Sequence, residues 1–173
     1  PIIINNFFRK IKRKKKFLNI KSICVGNIYL GGTGKTPLTI KLYQIIKDMG
    51  LNVVTAKKFH SKQIDEQILL KEKTKTILTK NRIEAVNRAI KDSFDILIFD
   101  DGLQENKIEY DLKIVCFNNK NWIGNGLLIP SGPLREKIKS LKNYDIVFLN
   151  GKSENILKNK EVILKMNSKI KIF

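Results

Sequence analysis

A glycine-rich segment holds the residues of this chain best suited to phosphate chemistry. Residues 25–36 read VGNIYLGGTGKT, following a predicted strand and opening a predicted helix. Glycines allow a tight turn in which successive backbone N–H groups face the same phosphate oxygens, and the positive end of the helix dipole adds to the attraction. The segment therefore predicts a P-loop, made of the consecutive residues Gly31, Gly32, Thr33, Gly34, Lys35 and Thr36.

Two residues of this loop have distinct expected roles. Lys35 would neutralise the β- and γ-phosphates of ATP, and the Thr36 hydroxyl would coordinate Mg²⁺. The strict pattern GxxxxGK[ST] requires glycine at position 29, where the chain has Tyr29. The loop is therefore a variant of the P-loop. The sequence alone leaves open the alternative that this segment only caps the helix that follows.

An apolar run ends in two carboxylates. Residues 95–102 read DILIFDDG, which resembles a Walker-B strand ending at Asp100 and Asp101. One of these carboxylates can hold Mg²⁺ directly or through water, beside the P-loop. The alternative is a strand followed by an Asp-Gly turn, and spacing does not show which carboxylate is nearer the metal.

Strand and helix patterns alternate along the chain. Alternation of this kind predicts an α/β fold of the P-loop NTPase type, with a mostly parallel, doubly wound sheet flanked by helices. The predicted strands are 22–27, 52–55, 76–79, 95–99, 112–117 and 145–149, and the predicted helices are 36–48, 65–73 and 82–92. The first helix is predicted to end at Gly50 and to pack through Leu38, Leu42, Ile45, Ile46 and Met49.

Composition narrows the possible partners. The 173 residues suit one domain, and no run of about 18 apolar residues could span a bilayer. The net charge of +18 comes from 29 lysines but only 5 arginines, so nucleic acid is not the expected partner. Cys24 and Cys116 lie in apolar runs and are expected to be buried free thiols.

The first 21 residues differ from the rest. They contain eight basic residues and no acidic one. Phe7, Phe8, Ile11 and Leu18 recur at spacings that favour one helical face, which would lie on an anionic membrane surface. The alternative is a solvated basic tail. We therefore divide the chain into this segment, residues 1–21, and a P-loop domain, residues 22–173.

Three segments resemble the tetraacyldisaccharide 4'-kinases. Gly26-Asn27 with residues 31–37 is similar to that family's P-loop, DDGLQ at 100–104 to its acidic motif, and GNGLLIPSGPLRE at 124–136 to its third motif. The resemblance implies a peripheral enzyme at the cytoplasmic face of the bacterial inner membrane. Such an enzyme uses ATP and Mg²⁺ to phosphorylate the 4'-hydroxyl of the lipid A disaccharide precursor.

The resemblance also implies roles for individual residues. Asp65 matches the family's catalytic base, Arg82 an arginine near the active site, and Arg135 with Glu136 the Arg-Glu pair of the third motif. Asn27 and Gln104 are further motif positions. Local chemistry alone leaves other roles open, with Asp65 as a helix N-cap, Arg82 as a solvated first-turn residue and Arg135 as a loop residue.

Several positions depart from the family pattern. Ile64 replaces the glycine before the catalytic Asp, Glu105 replaces a histidine, and a later segment with a second histidine is expected to be missing. His60 is expected to be a surface residue. The rival interpretation is a regulatory P-loop ATPase that binds membrane or nucleic acid through its basic start.

Overall fold

The computed structural model describes residues 14–152 and 154–173, apart from the side chain of Lys62. Its strands are β1 (Lys21–Gly26), β2 (Val53–Lys58), β3 (Thr76–Thr79), β4 (Ile96–Asp100), β5 (Leu112–Asn118), β6 (Ile146–Asn150) and β7 (Lys171–Ile172). Its α-helices are α1 (Lys35–Asp48), α2 (Ile64–Lys73), α3 (Arg82–Lys91) and α4 (Ile156–Met166). Single 3₁₀ segments occur at Ser61–Gln63 and Ile138–Asn143.

The seven strands form one parallel sheet in the order β3-β2-β4-β1-β5-β6-β7. This arrangement confirms the predicted doubly wound fold. The connections from β1 and β4 lead to opposite halves of the sheet, so the carboxyl end of β1 lies at a topological switch point. Ligands of open α/β sheets bind at this position.

Apolar side chains alternate between the two faces of the central strands. Cys24 and Phe99 pack into one buried cluster, whereas Val25 and Ile98 pack into the other. The sheet is therefore covered on both sides, as parallel sheets require. Both cysteines are buried free thiols, as predicted.

Helix α1 packs through part of the predicted face, since Ile46 is buried and Leu38 and Leu42 pack against the same cluster. Thr36, Thr39, Tyr43 and Ile46 face the protein interior, whereas two residues of the predicted apolar face, Ile45 and Met49, are 44% and 69% exposed. Thr36 and Thr39 are buried because both hydroxyls contact Asp100 at the end of β4. Its predicted end at Gly50 is confirmed, with φ of +81° at the glycine.

Most of the basic N-terminal segment, residues 1–13, lies outside the described residues. From Lys14 onward the chain is extended, since Lys15 pairs with Ile108 in a β-bridge and its N–H donates to the Lys107 carbonyl at 2.8 Å. Leu18, the last position of the predicted helical face, lies in a bend and is 84% exposed. The predicted helix therefore does not extend through residues 14–21. Within the described residues, every helix is too short or too polar to cross a bilayer.

Candidate active site

The glycine-rich loop joins β1 to α1 and is braced from inside. The Asn27 side chain is fully buried, and its amide nitrogen donates to the Gly31 carbonyl at 3.3 Å and to the Thr33 hydroxyl at 3.4 Å. Gly31 and Gly34 have φ of +128° and +81°, which only glycine adopts without strain. A Cβ on Gly34 would also lie 2.6 Å from the Asn150 side-chain nitrogen. The loop therefore requires glycine at position 34 on both conformational and steric grounds.

Tyr29, the departure from the strict P-loop pattern, lies in the core. Its ring is 2% exposed and stacks near Phe117, with ring centroids 6.2 Å apart. Its hydroxyl oxygen accepts the Asn118 N–H at 3.0 Å, and its backbone pairs with Leu134. This residue thus anchors the start of the loop, and the tight turn is made by the later glycines.

Asp100 lies at the end of β4, directly beside the loop. Its side chain is fully buried. Its Oδ2 accepts the Thr36 hydroxyl at 3.0 Å, and its Oδ1 accepts the Thr39 hydroxyl at 3.4 Å. The Lys57 ammonium, at the end of the neighbouring strand β2, donates to the same Oδ2 at 2.6 Å. The predicted proximity of the acidic strand end and the P-loop is therefore present in the structure.

Asp101 faces a different group. Its backbone adopts the left-handed region with φ of +61°, and its carbonyl accepts a hydrogen bond from Arg82 Nη2. Arg135 Nη1 lies 3.0 Å from its carboxylate. The two adjacent carboxylates therefore have different surroundings, with Asp100 beside a P-loop threonine and Asp101 beside two arginines.

A second network ties the third motif to the loop. Gln104 donates to the Asn27 carbonyl at 2.8 Å and to Glu136 at 3.0 Å. Tyr144 donates to the other oxygen of Glu136 at 2.8 Å. Burial, followed by the Glu136 carboxylate, raises the pKa of Tyr144, so that its hydroxyl remains a donor. This network sets the position of Arg135, the residue that precedes Glu136.

The ends of β2 and β4, together with Arg82 and Arg135, line a cleft of about 200 Å³. Basic side chains outnumber carboxylates in its lining, which favours an anionic ligand. The lining residues are Lys57, Lys58, His60, Gln63, Arg82, Asp100, Asp101 and Arg135.

The two predicted arginines lie at this cleft in well-packed positions. The Arg82 side chain is 15% exposed and pairs with Glu105 at 3.5 Å, so it is not a solvated residue. Glu105, one of the residues that depart from the expected pattern, is thus the ion-pair partner of Arg82. The Arg135 side chain is 24% exposed and belongs to a loop.

Asp65 is exposed in the first turn of α2. The N-cap of this helix is Gln63, which removes the N-cap alternative for Asp65. The structure does not place Asp65 in the cleft lining, whereas its neighbour Glu66 contacts the Lys57 ammonium at 2.6 Å. Asp65 therefore lies on a helix whose next residue, Glu66, contacts the cleft residue Lys57.

Sequence reasoning missed several residues of the site. Lys57 and Lys58 end an apolar strand, and paired lysines at that point are the signal that could have identified them. His60 is exposed, as predicted, but it also lines the cleft. Lys35, which was predicted, is 9% exposed. Its charge reaches the Cys116 thiol: burial raises the pKa of Cys116 to about 12, and Lys35 opposes part of this rise.

Comparison with known sequences gives consistent matches. The family model LpxK, described as tetraacyldisaccharide-1-P 4'-kinase, matches residues 2–172. A tetraacyldisaccharide 4'-kinase from Pelagibacter ubique (strain HTCC1062) is 53% identical over 172 residues, covering 98% of this chain and 55% of the relative. One from Haemophilus influenzae (strain 86-028NP) is 35% identical over 149 residues, covering 75% and 45%. The chain thus spans about half the length of these curated relatives.

Solved structures share the fold. LpxK from Aquifex aeolicus, determined in complex with ATP, matches with a TM-score of 0.71 and 23% identity over 86% of this chain and 54% of that chain. Hydrogenase maturation factor HypB from Archaeoglobus fulgidus matches with a TM-score of 0.63 and 12% identity over 90% and 80%. At these identities the likeness shows a common fold.

Proposed function

Because the chain belongs to the tetraacyldisaccharide-1-P 4'-kinase family, we propose that it transfers the γ-phosphate of ATP to the 4'-hydroxyl of a tetraacylated disaccharide 1-phosphate, a lipid A precursor. The observation that carries this proposal is the 3.0 Å contact between the Thr36 hydroxyl and Asp100. It joins the P-loop to the acidic motif in the arrangement that phosphoryl transfer requires.

The residues present fit a magnesium ion. A threonine hydroxyl and a buried carboxylate are hard oxygen ligands, and a cation, the Lys57 ammonium, already contacts that carboxylate. Thr36 and Asp100 would therefore hold Mg²⁺, whereas Asp101 would hold Arg135 in position through their ion pair. The chemistry that Mg²⁺ supplies when bound is neutralisation of charge on the transferring phosphoryl group.

The remaining roles fall to charged groups around the cleft. Lys35 and the backbone of the loop bind the phosphate chain of ATP. Arg82 and Arg135 stabilise the charge that spreads over the phosphoryl oxygens during transfer. Asp65 takes the proton from the attacking hydroxyl, which makes the oxygen a better nucleophile. Catalysis by these groups consists mainly of positioning and charge neutralisation.

The acceptor carries acyl chains, so we propose that the protein works at the cytoplasmic face of the inner membrane. The eight basic residues of segment 1–21 support this location, since each lysine or arginine near an anionic surface adds about 1 kcal/mol of attraction. A deletion tests this location. It should remove only residues 1–13, because Ile20 is buried and the Lys15 backbone is hydrogen-bonded to Lys107. We expect this deletion and added salt each to reduce sedimentation with anionic vesicles. Unchanged sedimentation in both cases would contradict the membrane assignment.

Phosphate transfer itself is tested by replacing the P-loop lysine. Lys35→Ala should lower transfer from ATP to the acceptor, in detergent, by roughly a hundredfold or more, because the phosphate charge loses its fixed partner. Lys41→Ala, an exposed position on the same helix, is the matched control and should retain parental activity. Comparable rates in the Lys35 and Lys41 variants would refute the proposed site.

A further inference from the structure

Lys57 is an almost completely buried lysine for which the proposed mechanism has no task. It lies at the end of β2 in register with Asp100 of β4 and is 3% exposed. Its ammonium nitrogen is 2.6 Å from Asp100 Oδ2 and 2.6 Å from Glu66 Oε2. One ammonium group therefore bridges two carboxylates that come from different elements.

The bridge lies on the carboxylate assigned above to magnesium. The oxygen ligands of Mg²⁺ lie at about 2.1 Å, so one divalent ion in place of the ammonium group could contact both carboxylates after a small movement of the half-exposed Glu66 side chain. The ammonium and such an ion would compete for the same Asp100 oxygen, and their positive charges repel at short range. Lys57 and a divalent cation therefore cannot both hold Asp100 and Glu66 in the observed way.

The balance of charge between Lys57 and the two carboxylates also disfavours a divalent cation when no nucleotide is bound. Asp100 and Glu66 together carry two negative charges, which match a divalent cation, and Lys57 offsets one of them. The phosphates of a bound nucleotide would restore enough negative charge to hold the cation beside Lys57. Without nucleotide, the remaining negative charge is too small to hold it tightly.

We propose that Lys57 is a resident counter-ion for Asp100 and Glu66, which prevents this pair from binding a divalent cation until nucleotide phosphates are present. The inference rests on the proposed function for its assignment of Asp100 to the metal. It implies that the protein binds the cation together with ATP and not before it. Lys57 acts through the two carboxylates and is thus a positioning residue.

The experiment measures Mn²⁺ binding to nucleotide-free protein by the loss of the free Mn²⁺ electron paramagnetic resonance signal. Wild-type protein should bind Mn²⁺ weakly, and protein together with a non-hydrolysable ATP analogue should remove more of the signal than the analogue alone and the protein alone account for. Lys57→Met should bind Mn²⁺ roughly tenfold tighter or more without nucleotide, because the carboxylate pair loses its cation. Lys57→Arg keeps the charge and should resemble wild type, as should Lys71→Met at an exposed position of α2.

A second substitution locates the new site. Adding Asp100→Asn to Lys57→Met should abolish the gain in Mn²⁺ affinity, since one of the two carboxylates is lost. Circular dichroism on each variant confirms that the proteins compared are folded. A gain that survives Asp100→Asn would overturn the proposal.

Two further outcomes would also overturn it. One is equal Mn²⁺ affinity in Lys57→Met and Lys57→Arg. The other is wild-type protein that binds Mn²⁺ as tightly without nucleotide as with the analogue, after the Mn²⁺ bound by the analogue alone is subtracted; this result does not depend on any variant folding. The comparison of the two Lys57 variants uses neither nucleotide nor acceptor, so it remains decisive if the protein proves not to transfer phosphate.

Discussion

Replacing Lys57 with methionine should destabilise the fold substantially. The Lys57 and Asp100 side chains are 2% and 0% exposed and 2.6 Å apart. After the substitution, the Thr36 and Thr39 hydroxyls would be the donors that remain to this buried carboxylate among the residues the structure describes. Removing one partner of a buried ion pair costs about 3–5 kcal/mol. The Glu66 half of the bridge adds less, about 0–1 kcal/mol, because that side chain is 43% exposed.

The free energy of unfolding can be measured by urea denaturation followed by circular dichroism, without nucleotide. Lys71→Met should stay within about 0.5 kcal/mol of the parent, since it lies at an exposed position. The double variant Lys57→Met with Asp100→Asn should recover most of the loss, because the unpaired charge disappears. A loss below about 1 kcal/mol for Lys57→Met, with an unchanged denaturant slope, would refute the reasoning.

Three further perturbations test other parts of the structure. Burial raises the pKa of Cys116 to about 12, and it also raises the pKa of Cys24. At about pH 8, iodoacetamide should therefore label both thiols only after unfolding. Labelling of the folded protein would contradict their burial. Gly34→Ala should lower the free energy of unfolding by about 1–3 kcal/mol, since the new Cβ would lie 2.6 Å from the Asn150 side-chain nitrogen at the end of β6. Gly50→Ala is the control and should lower it less, because Gly50 has the same φ but open space around it. Equal losses in urea denaturation would contradict the clash. Asp65→Asn should lower kcat by roughly two to four orders of magnitude and leave ATP affinity nearly intact; a kcat within about threefold of the parent would remove Asp65 as the base.

The central strands could be predicted because each is a short apolar run that ends in turn residues. β3 has the predicted bounds, and β1, β4 and β6 differ by about one residue at either end. β2 continues three residues beyond its predicted end, to Lys58, because its final lysines look like the start of a loop. Strand-forming residues buried on both faces leave a clear pattern, whereas a charged residue buried by a specific partner does not.

Two late elements were not predicted for a physical reason. Helix α4 buries Asn159 and Ile163 on its inner side, and Asn159 donates to the buried Asn119 side chain at 2.6 Å. A polar residue on the buried face interrupts the apolar periodicity from which a helix is read. Strand β7 has only two residues, too few for any alternation to appear.

The site was predictable in its motifs but not in its pairings. Asp100 and Asp101 look equivalent in sequence. Consecutive residues at the end of a strand point to opposite sides, and in the structure one faces Thr36 and the other Arg135. The role of Glu105 as partner of Arg82 depends on a contact between residues 23 positions apart in the chain. Pairings of this kind follow from the order of the strands in the sheet, which motif spacing does not contain.

The position of the transferred phosphate tests the central claim most directly. The protein would be incubated with ATP labelled in the γ-phosphate and either the tetraacylated disaccharide 1-phosphate or an analogue in which hydrogen replaces the 4'-hydroxyl. Our account predicts label in the first lipid and none in the second, with transfer lost in Lys35→Ala. Label that reaches both lipids equally, or that appears only as inorganic phosphate regardless of acceptor, would contradict a 4'-kinase and favour a regulatory ATPase.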